Sequence, residues 1–233
     1  MKYLSTLALL FFATVSFAQE EQQPEQLTAS QIFTSHYARA YQAAIRYNDF
    51  NVAKHALYNM LVENPQNDSI LYSLSLLYIQ GQQYASAVLT SNDILAVNAN
   101  HTGALEISAI GYENLGIKDK ALSAYETLYL NTEDYNTLYK MAFLQYDLAK
   151  YAESKTNLEI LLGKKESEEL KSVYTLSDNQ QKEYPIKVSL ITLKGMINAA
   201  EGDKVNAQKH FNEALALAPD FELAKQQMAE LEK

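Results

Sequence analysis

The stretch Asp68–His101, DSILYSLSLLYIQGQQYASAVLTSNDILAVNANH, sets the pattern for most of the 233-residue chain. Segments that begin at Thr34 and Thr102 align with it without a gap, and a fourth and a fifth begin at Tyr135 and Val188. A fixed period of about 34 residues is typical of paired helices that stack into a solenoid, because one pair cannot bury its apolar face alone. The sequence therefore predicts an all-α solenoid of about five helix-turn-helix units.

Small residues recur where the two helices of a pair would cross. The twentieth position of each unit is Ala53, Ala87, Ala121, Ser154 or Ala207. The eighth position is small in four units, at Ser75, Ala109, Ala142 and Gly195. Only small side chains let two helices approach closely, so these positions predict the crossings. In three units an aromatic residue opens the second helix, at Phe50, Tyr84 and Tyr151.

With their small, aromatic and proline positions in this order, segments such as LYSLSLLYIQGQQYASAVLTSNDILAVNAN resemble tetratricopeptide repeats. The resemblance covers residues 34–168, as four repeats, and residues 188–221, as a fifth. Pro65 and Pro219 match the terminal proline of the family, whereas Ala99, Glu133 and Glu166 replace it. The resemblance implies a non-enzymatic scaffold whose concave groove binds a protein or peptide partner.

The two ends of the chain differ from the repeats. Residues 1–18 combine a positive charge at Lys2, the apolar run LALLFFATV and small residues before Gln19, which predicts a signal peptide cleaved after Ala18. The alternative is an uncleaved membrane anchor. Residues 19–33 are expected to form a polar linker and the start of the first helix. Residues 222–233 are expected to form an amphipathic helix that caps the last pair.

One segment, residues 169–187, does not follow the period. It contains KSVYTL and EYPIK, separated by the polar stretch SDNQQ. The β-branched and aromatic residues favour a short hairpin, with Pro185 restricted to its edge or to the start of the next helix. The alternative is an elongated loop. Insertions in repeat arrays lie on the surface and often carry function.

Charge and cysteine content exclude several classes of function. The formal net charge is −9, so nucleic acid and anionic lipid are unfavourable partners. The chain has no cysteine, which excludes disulfides and thiol nucleophiles and, for an exported protein, fits a bacterial periplasm. The histidines lie too far apart in sequence for a metal motif, at His36, His55, His101 and His210. We therefore predict no catalytic residue, no metal site, no cofactor and no enzymatic activity.

The first helix of each unit is expected to line the concave groove. The fifth, ninth and twelfth positions share one helical face, since a helix turns once in about 3.6 residues. In the second, third and fourth units these positions are Tyr72, Leu76, Ile79, Glu106, Ile110, Glu113, Tyr139, Phe143 and Tyr146. They predict an aromatic, partly acidic trough for a peptide with apolar anchors and a basic residue. The alternative for individual rings is that they pack between repeats.

A second functional hypothesis stays open at this point. The 17 tyrosines are stacking platforms that would also suit a carbohydrate or peptidoglycan-associated envelope module. The absence of tryptophan counts against this alternative.

Overall fold

The computed structural model describes residues 27–176 and 179–231 of the chain. The predicted signal peptide, residues 1–18, and most of the predicted linker lie outside the described residues. The helices are α1 (Ala29–Arg46), α2 (Phe50–Glu63), α3 (Asp68–Gln80), α4 (Tyr84–Val97), α5 (Thr102–Asn114), α6 (Lys118–Thr132), α7 (Tyr135–Asp147), α8 (Tyr151–Gly163), α9 (Ile186–Ala200), α10 (Lys204–Leu217) and α11 (Glu222–Leu231). Between α8 and α9 lie a short 3₁₀ helix (Lys165–Glu169) and the strands β1 (Lys171–Thr175) and β2 (Gln181–Pro185).

Helices α1 to α10 form five consecutive pairs, α1 with α2 through α9 with α10, and α11 follows the last pair. The prediction of an all-α solenoid with a C-terminal helix is confirmed. The second helices of three pairs begin at the predicted aromatic residues, Phe50, Tyr84 and Tyr151. The period therefore marks helix boundaries as well as helix content.

The predicted crossing positions are completely buried. All five residues at the twentieth position have no exposed surface, namely Ala53, Ala87, Ala121, Ser154 and Ala207. In the fourth unit the two small positions touch, because the Ser154 hydroxyl donates a hydrogen bond of 2.7 Å to the Ala142 carbonyl oxygen. In the fifth unit a Cβ atom on Gly195 would lie 2.5 Å from Phe211 Cε1. Larger side chains at these points would force the helices apart.

Each pair turns through one residue in the left-handed backbone region. These residues all occupy the fifteenth position of their unit, and they are Asn48, Gln82, Gly116, Ala149 and Gly202. Four of the five second helices start within three residues of an Asp, Asn or Gly in this turn, as expected for tight connections. Between units, side chains cap the next helix: Asn67 accepts a hydrogen bond from the Ile70 N–H.

The insertion is a β-hairpin. Strands β1 and β2 pair antiparallel, with Lys171 opposite Pro185 and Thr175 opposite Gln181. Of the two predicted alternatives, loop or short hairpin, the hairpin is the one present. Its inner side packs on the last unit, since the Ser172 and Ser189 hydroxyl oxygens lie 2.8 Å apart. Across the described residues, no helix has the length and the apolar character needed to cross a membrane.

The hairpin also contacts the turn before α11. The ring of the completely buried Phe221 lies 4.8 Å from the ring of Tyr174 and 4.9 Å from that of Tyr184, both edge to face. Lys182 pairs with the carboxylate of Asp220, and the Tyr184 hydroxyl donates to the same carboxylate at 3.2 Å. These contacts attach both strands of the hairpin to the turn that precedes α11.

Candidate functional site

A cavity of about 930 Å³ lies between α5, α6, α7 and β1. It brings together five of the nine predicted groove residues, which we call the groove set: Glu106, Ile110, Glu113, Tyr139 and Phe143. They come from the first helices of two neighbouring units, as the helical spacing predicts. Helix α6 adds Tyr125 and Leu128, and β1 closes the remaining side.

The other four predicted groove residues lie elsewhere. Tyr72 lines an adjoining cavity of about 570 Å³, where its ring lies 5.4 Å from that of His101. Glu106 lines this cavity as well as the cavity of about 930 Å³. Ile79 packs against the core of the first two units. Leu76 is 44% exposed, and the Tyr146 ring lies 5.8 Å from that of Tyr151. Neither described cavity includes Leu76, Ile79 or Tyr146.

Glu113 is held by two partners in the wall of the cavity. The Tyr125 hydroxyl donates a hydrogen bond of 2.9 Å to one carboxylate oxygen, and Lys140 Nζ lies 3.4 Å from the other. Burial, followed by the charge of Glu113, raises the pKa of Tyr125, so the phenol stays protonated and remains a donor. Glu113 is therefore a positioned acceptor whose charge is already partly neutralised.

Sequence reasoning did not identify Tyr125. It occupies the twenty-fourth position of its unit, a buried position that holds Leu57, Leu158 and Phe211 in three other units. The second unit has the buried Ser91 at this position, so a hydroxyl occurs there in two of the five units. The only sequence signal was that a buried hydroxyl requires a partner.

Tyr139 belongs both to the groove and to the core. Its ring lies 4.9 Å from that of Phe143 and packs against the large core of the third to fifth units. Its hydroxyl oxygen lies 3.0 Å from that of Tyr174 on β1. Burial, with the nearby Tyr174 hydroxyl, raises the pKa of Tyr139. The hydroxyl is therefore neutral at physiological pH and fixed in position.

The carboxylates around the cavity differ in how far they are already engaged. Asp147 pairs with Lys118 at 2.7 Å. Asp134 caps α7, because its carboxylate accepts a hydrogen bond of 2.8 Å from the Thr137 N–H. Burial alone would raise the pKa of Asp134. The hydrogen bonds from Thr137 and Asn136 outweigh burial, so the pKa of Asp134 is lowered. Glu106 is exposed and makes no hydrogen bond or ion pair with the described part of the chain. Its charge is available to a ligand.

The histidines do not enter the cavity of about 930 Å³. His101 caps α5, because its Nδ1 accepts a hydrogen bond of 3.1 Å from the Ala104 N–H. His210 lies 3.2 Å from the Asn198 amide in the last pair. Among residues 27–176 and 179–231, no three His, Cys, Asp or Glu side chains are grouped as a metal site would need.

Comparison with known proteins identifies the fold. No protein-family model matches the chain, and no curated protein matches it. A crystal structure of YrrB, described as a TPR protein with an unusual peptide-binding site, superimposes with a TM-score of 0.66 at 12% identity, covering 85% of this chain and 98% of YrrB. A crystal structure of MamA gives a TM-score of 0.63 at 15% identity, covering 85% and 94%.

A third solved structure, MamA residues 41 to the end from Desulfovibrio magneticus RS-1, gives a TM-score of 0.61 at 14% identity, covering 81% of this chain and 97% of that one. Similarity at this level of identity establishes the fold. The chain is a tetratricopeptide-repeat solenoid, as its sequence predicted, with a hairpin inserted before its last unit.

Proposed function

We propose that this tetratricopeptide-repeat chain is a non-enzymatic, exported bacterial scaffold that binds a peptide segment of a protein partner through the groove set. The observation that carries the proposal is the cavity of about 930 Å³, which joins apolar surface from Ile110 and Phe143 to carboxylates at Glu106 and Glu113. A concave site that is largely apolar, with a few polar groups, is the usual form of a ligand site.

The charge of the cavity supports a ligand that carries a basic residue. Glu106 has no partner within the described residues, whereas Glu113, Asp134 and Asp147 already have partners. A lysine or arginine of the ligand would therefore pair with Glu106 without displacing an existing contact. The apolar neighbours Ile110 and Phe143 would receive an adjacent apolar side chain.

The comparison with YrrB is consistent with a peptide ligand, since that protein has the same fold and is described as having a peptide-binding site. Export rests on residues 1–18, whose charged start, apolar run and small residues match a signal peptide. Periplasmic location would follow from cleavage after Ala18. N-terminal sequencing of the protein recovered from the periplasm of expressing bacteria should begin at Gln19.

The test of binding is affinity capture from bacterial envelope extract with residues 19–233, identified by mass spectrometry. The variant Glu106→Lys reverses the charge of the cavity carboxylate that has neither a hydrogen bond nor an ion pair within the described residues. Glu126→Lys on α6, also exposed but outside the cavity, is the matched control. We expect a protein that is captured by the wild type and by Glu126→Lys and is lost with Glu106→Lys. Equal capture by all three would contradict the proposal.

The carbohydrate hypothesis is tested in the same series. Soluble peptidoglycan fragments are titrated against the wild type and Glu106→Lys by calorimetry. Saturable binding that Glu106→Lys removes would replace the peptide proposal with a glycan-binding function of the same groove.

A further inference from the structure

The hairpin presents one open edge whose orientation follows from its hydrogen bonds. The Ile186 N–H donates to the Leu170 carbonyl oxygen at 3.0 Å, and the Leu176 N–H donates to the Gln180 carbonyl oxygen at 2.8 Å. The residues joined by these two bonds continue the register of the strand pair by one position at each end. In an antiparallel pair the residues alternate between facing the partner strand and facing away from it. The N–H and C=O groups of Lys171, Val173 and Thr175 therefore point away from β2.

This open edge borders the cavity. Residues 171–174 of β1 line the cavity, whereas no residue of β2 does. Within the described residues, no backbone hydrogen bond reaches Val173 from outside the hairpin. The Val173 side chain is 57% exposed beside this edge. The backbone of β1 thus presents unpaired donors and acceptors next to the groove set, the arrangement that recruits an additional strand.

The opposite edge of the hairpin is protected. The outward positions of β2 are Gln181, Glu183 and Pro185, and proline has no N–H to donate. Lys171 Nζ lies 3.0 Å from Glu183, so this lysine leans towards β2 rather than covering the β1 edge. The charge of Glu183 and the missing N–H of Pro185 therefore protect the outer edge of β2 from pairing with another strand, whereas Val173 leaves the edge of β1 accessible.

We propose that the peptide partner binds in an extended conformation as a third strand, paired with the open edge of β1. This inference rests on the proposed function. The ligand is a segment of about the length of β1, which has five residues, with apolar side chains at alternate positions and a lysine or arginine that reaches Glu106. Backbone pairing provides general affinity, and the groove set selects the side chains.

The critical variant is Val173→Pro. Because the Val173 N–H points away from β2, proline at this position removes a donor only from the open edge and leaves the hairpin bonds in place. Val173→Thr keeps the N–H and the β-branched shape and is the matched control. Circular dichroism and thermal unfolding of both variants establish that each is folded.

The probe is a set of short peptides selected from a phage-displayed random library against residues 19–233 and then synthesised. Fluorescence anisotropy measures their dissociation constants. We expect Val173→Pro to weaken binding by about tenfold or more, since a backbone hydrogen bond is lost and the ring blocks close approach. Val173→Thr should bind as the wild type does. The peptides are also N-methylated at every second amide, in two series that start one residue apart and are called the two phases. One phase should abolish binding, because it removes the amides that pair with β1, and the other phase should spare binding.

The outcomes separate the two proposals. Selected peptides whose binding is lost with Glu106→Lys, but is unaffected by Val173→Pro and by N-methylation in either phase, would overturn strand addition and leave groove binding intact. Selection of no peptide that depends on Glu106 would overturn both. If Val173→Pro fails to fold, the N-methylation series on the wild type decides, because equal effects in the two phases would exclude a paired strand.

Discussion

The hydroxyl oxygens of Tyr139 and Tyr174 lie 3.0 Å apart, so a hydrogen bond joins α7 to β1 across 35 positions of the chain. Tyr139 is a groove residue, and Tyr174 packs on Phe221 beside α11. One wall of the groove is therefore attached to the C-terminal end of the solenoid by side-chain contacts.

Removing this hydrogen bond should destabilise the hairpin more than the repeats. Tyr139→Phe keeps the ring and deletes the hydroxyl, so we expect the free energy of unfolding to fall by about 1 kcal/mol. Limited proteolysis should cut the hairpin faster than in the wild type. Tyr135→Phe, on the same helix but with no hydrogen bond from its hydroxyl within the described residues, is the control. An equal loss in the two variants would show that the Tyr139 hydroxyl, which also meets the hydroxyls of Ser172 and Ser189, contributes no net stability.

The left-handed turn positions offer a reciprocal test of backbone strain. Ala149 has a φ of 55° and Gly202 has a φ of 85° at the same position of their units. An alanine in this region costs roughly 1 kcal/mol relative to glycine. Urea denaturation should therefore find Ala149→Gly more stable than the wild type and Gly202→Ala less stable, each by about 1 kcal/mol. Changes of the same sign in the two variants would contradict this explanation.

Phe221 should anchor both the hairpin and α11. Its ring is completely buried and contacts Tyr174 and Tyr184 edge to face. Phe221→Ala is expected to cost about 3–5 kcal/mol, the usual range for a buried phenylalanine. Phe33→Ala is the control, because this ring on α1 is 53% exposed. A loss of stability no larger than that of the control, measured by chemical denaturation, would show that the end of the solenoid repacks around the gap.

Stability should fall on mild acidification because of His210. Burial, followed by the positive charge of Lys194, lowers the pKa of His210 below its usual value of about 6.5. The unfolded chain then binds a proton at this residue more readily than the folded chain. The resulting contribution to stability is fully present above about pH 6.5 and is lost as the pH falls from there through the lower folded-state pKa.

Thermal unfolding between about pH 7.5 and about pH 5.5 measures this effect. His210→Gln should reduce the dependence of the melting temperature on pH, whereas His55→Gln, which changes an exposed side chain, should leave the dependence intact. The same pH dependence in the wild type and His210→Gln would assign the effect to other groups.

The repeat geometry was readable from the sequence because it depends on local spacing. Small residues at helix crossings recur at a fixed position, and all five, from Ala53 to Ala207, are completely buried. The left-handed turn residues recur in the same way, although only Gly116 and Gly202 are glycines, so the sequence signal at Ala149 was weak. Periodic features of this kind need no knowledge of distant contacts.

The candidate site was predictable only in part. Helical spacing placed Glu106, Ile110 and Phe143 on the surface that lines the cavity. It did not reveal that β1 closes this cavity or that the Tyr139 hydroxyl meets Tyr174, because the position of a non-repeating insertion depends on contacts between distant residues. The hydrogen bond from Tyr125 to Glu113 likewise joins two helices, and it depends on a tyrosine that occurs at this repeat position in one unit.

The hairpin changes how the solenoid is expected to unfold. In an uninterrupted array each unit contacts only its neighbours, so an end unit can fray while the rest stays folded. Here Tyr174 links α7, through Tyr139, to Phe221 near the C-terminus, which closes a ring of contacts around the fourth and fifth units. The C-terminal half should therefore unfold as one cooperative block. Helices α1 and α2 should unfold first, because they lack such a side-chain link among the described residues. The cavity of about 930 Å³ lies at the border of that block, so its shape should persist when the N-terminal end has unfolded.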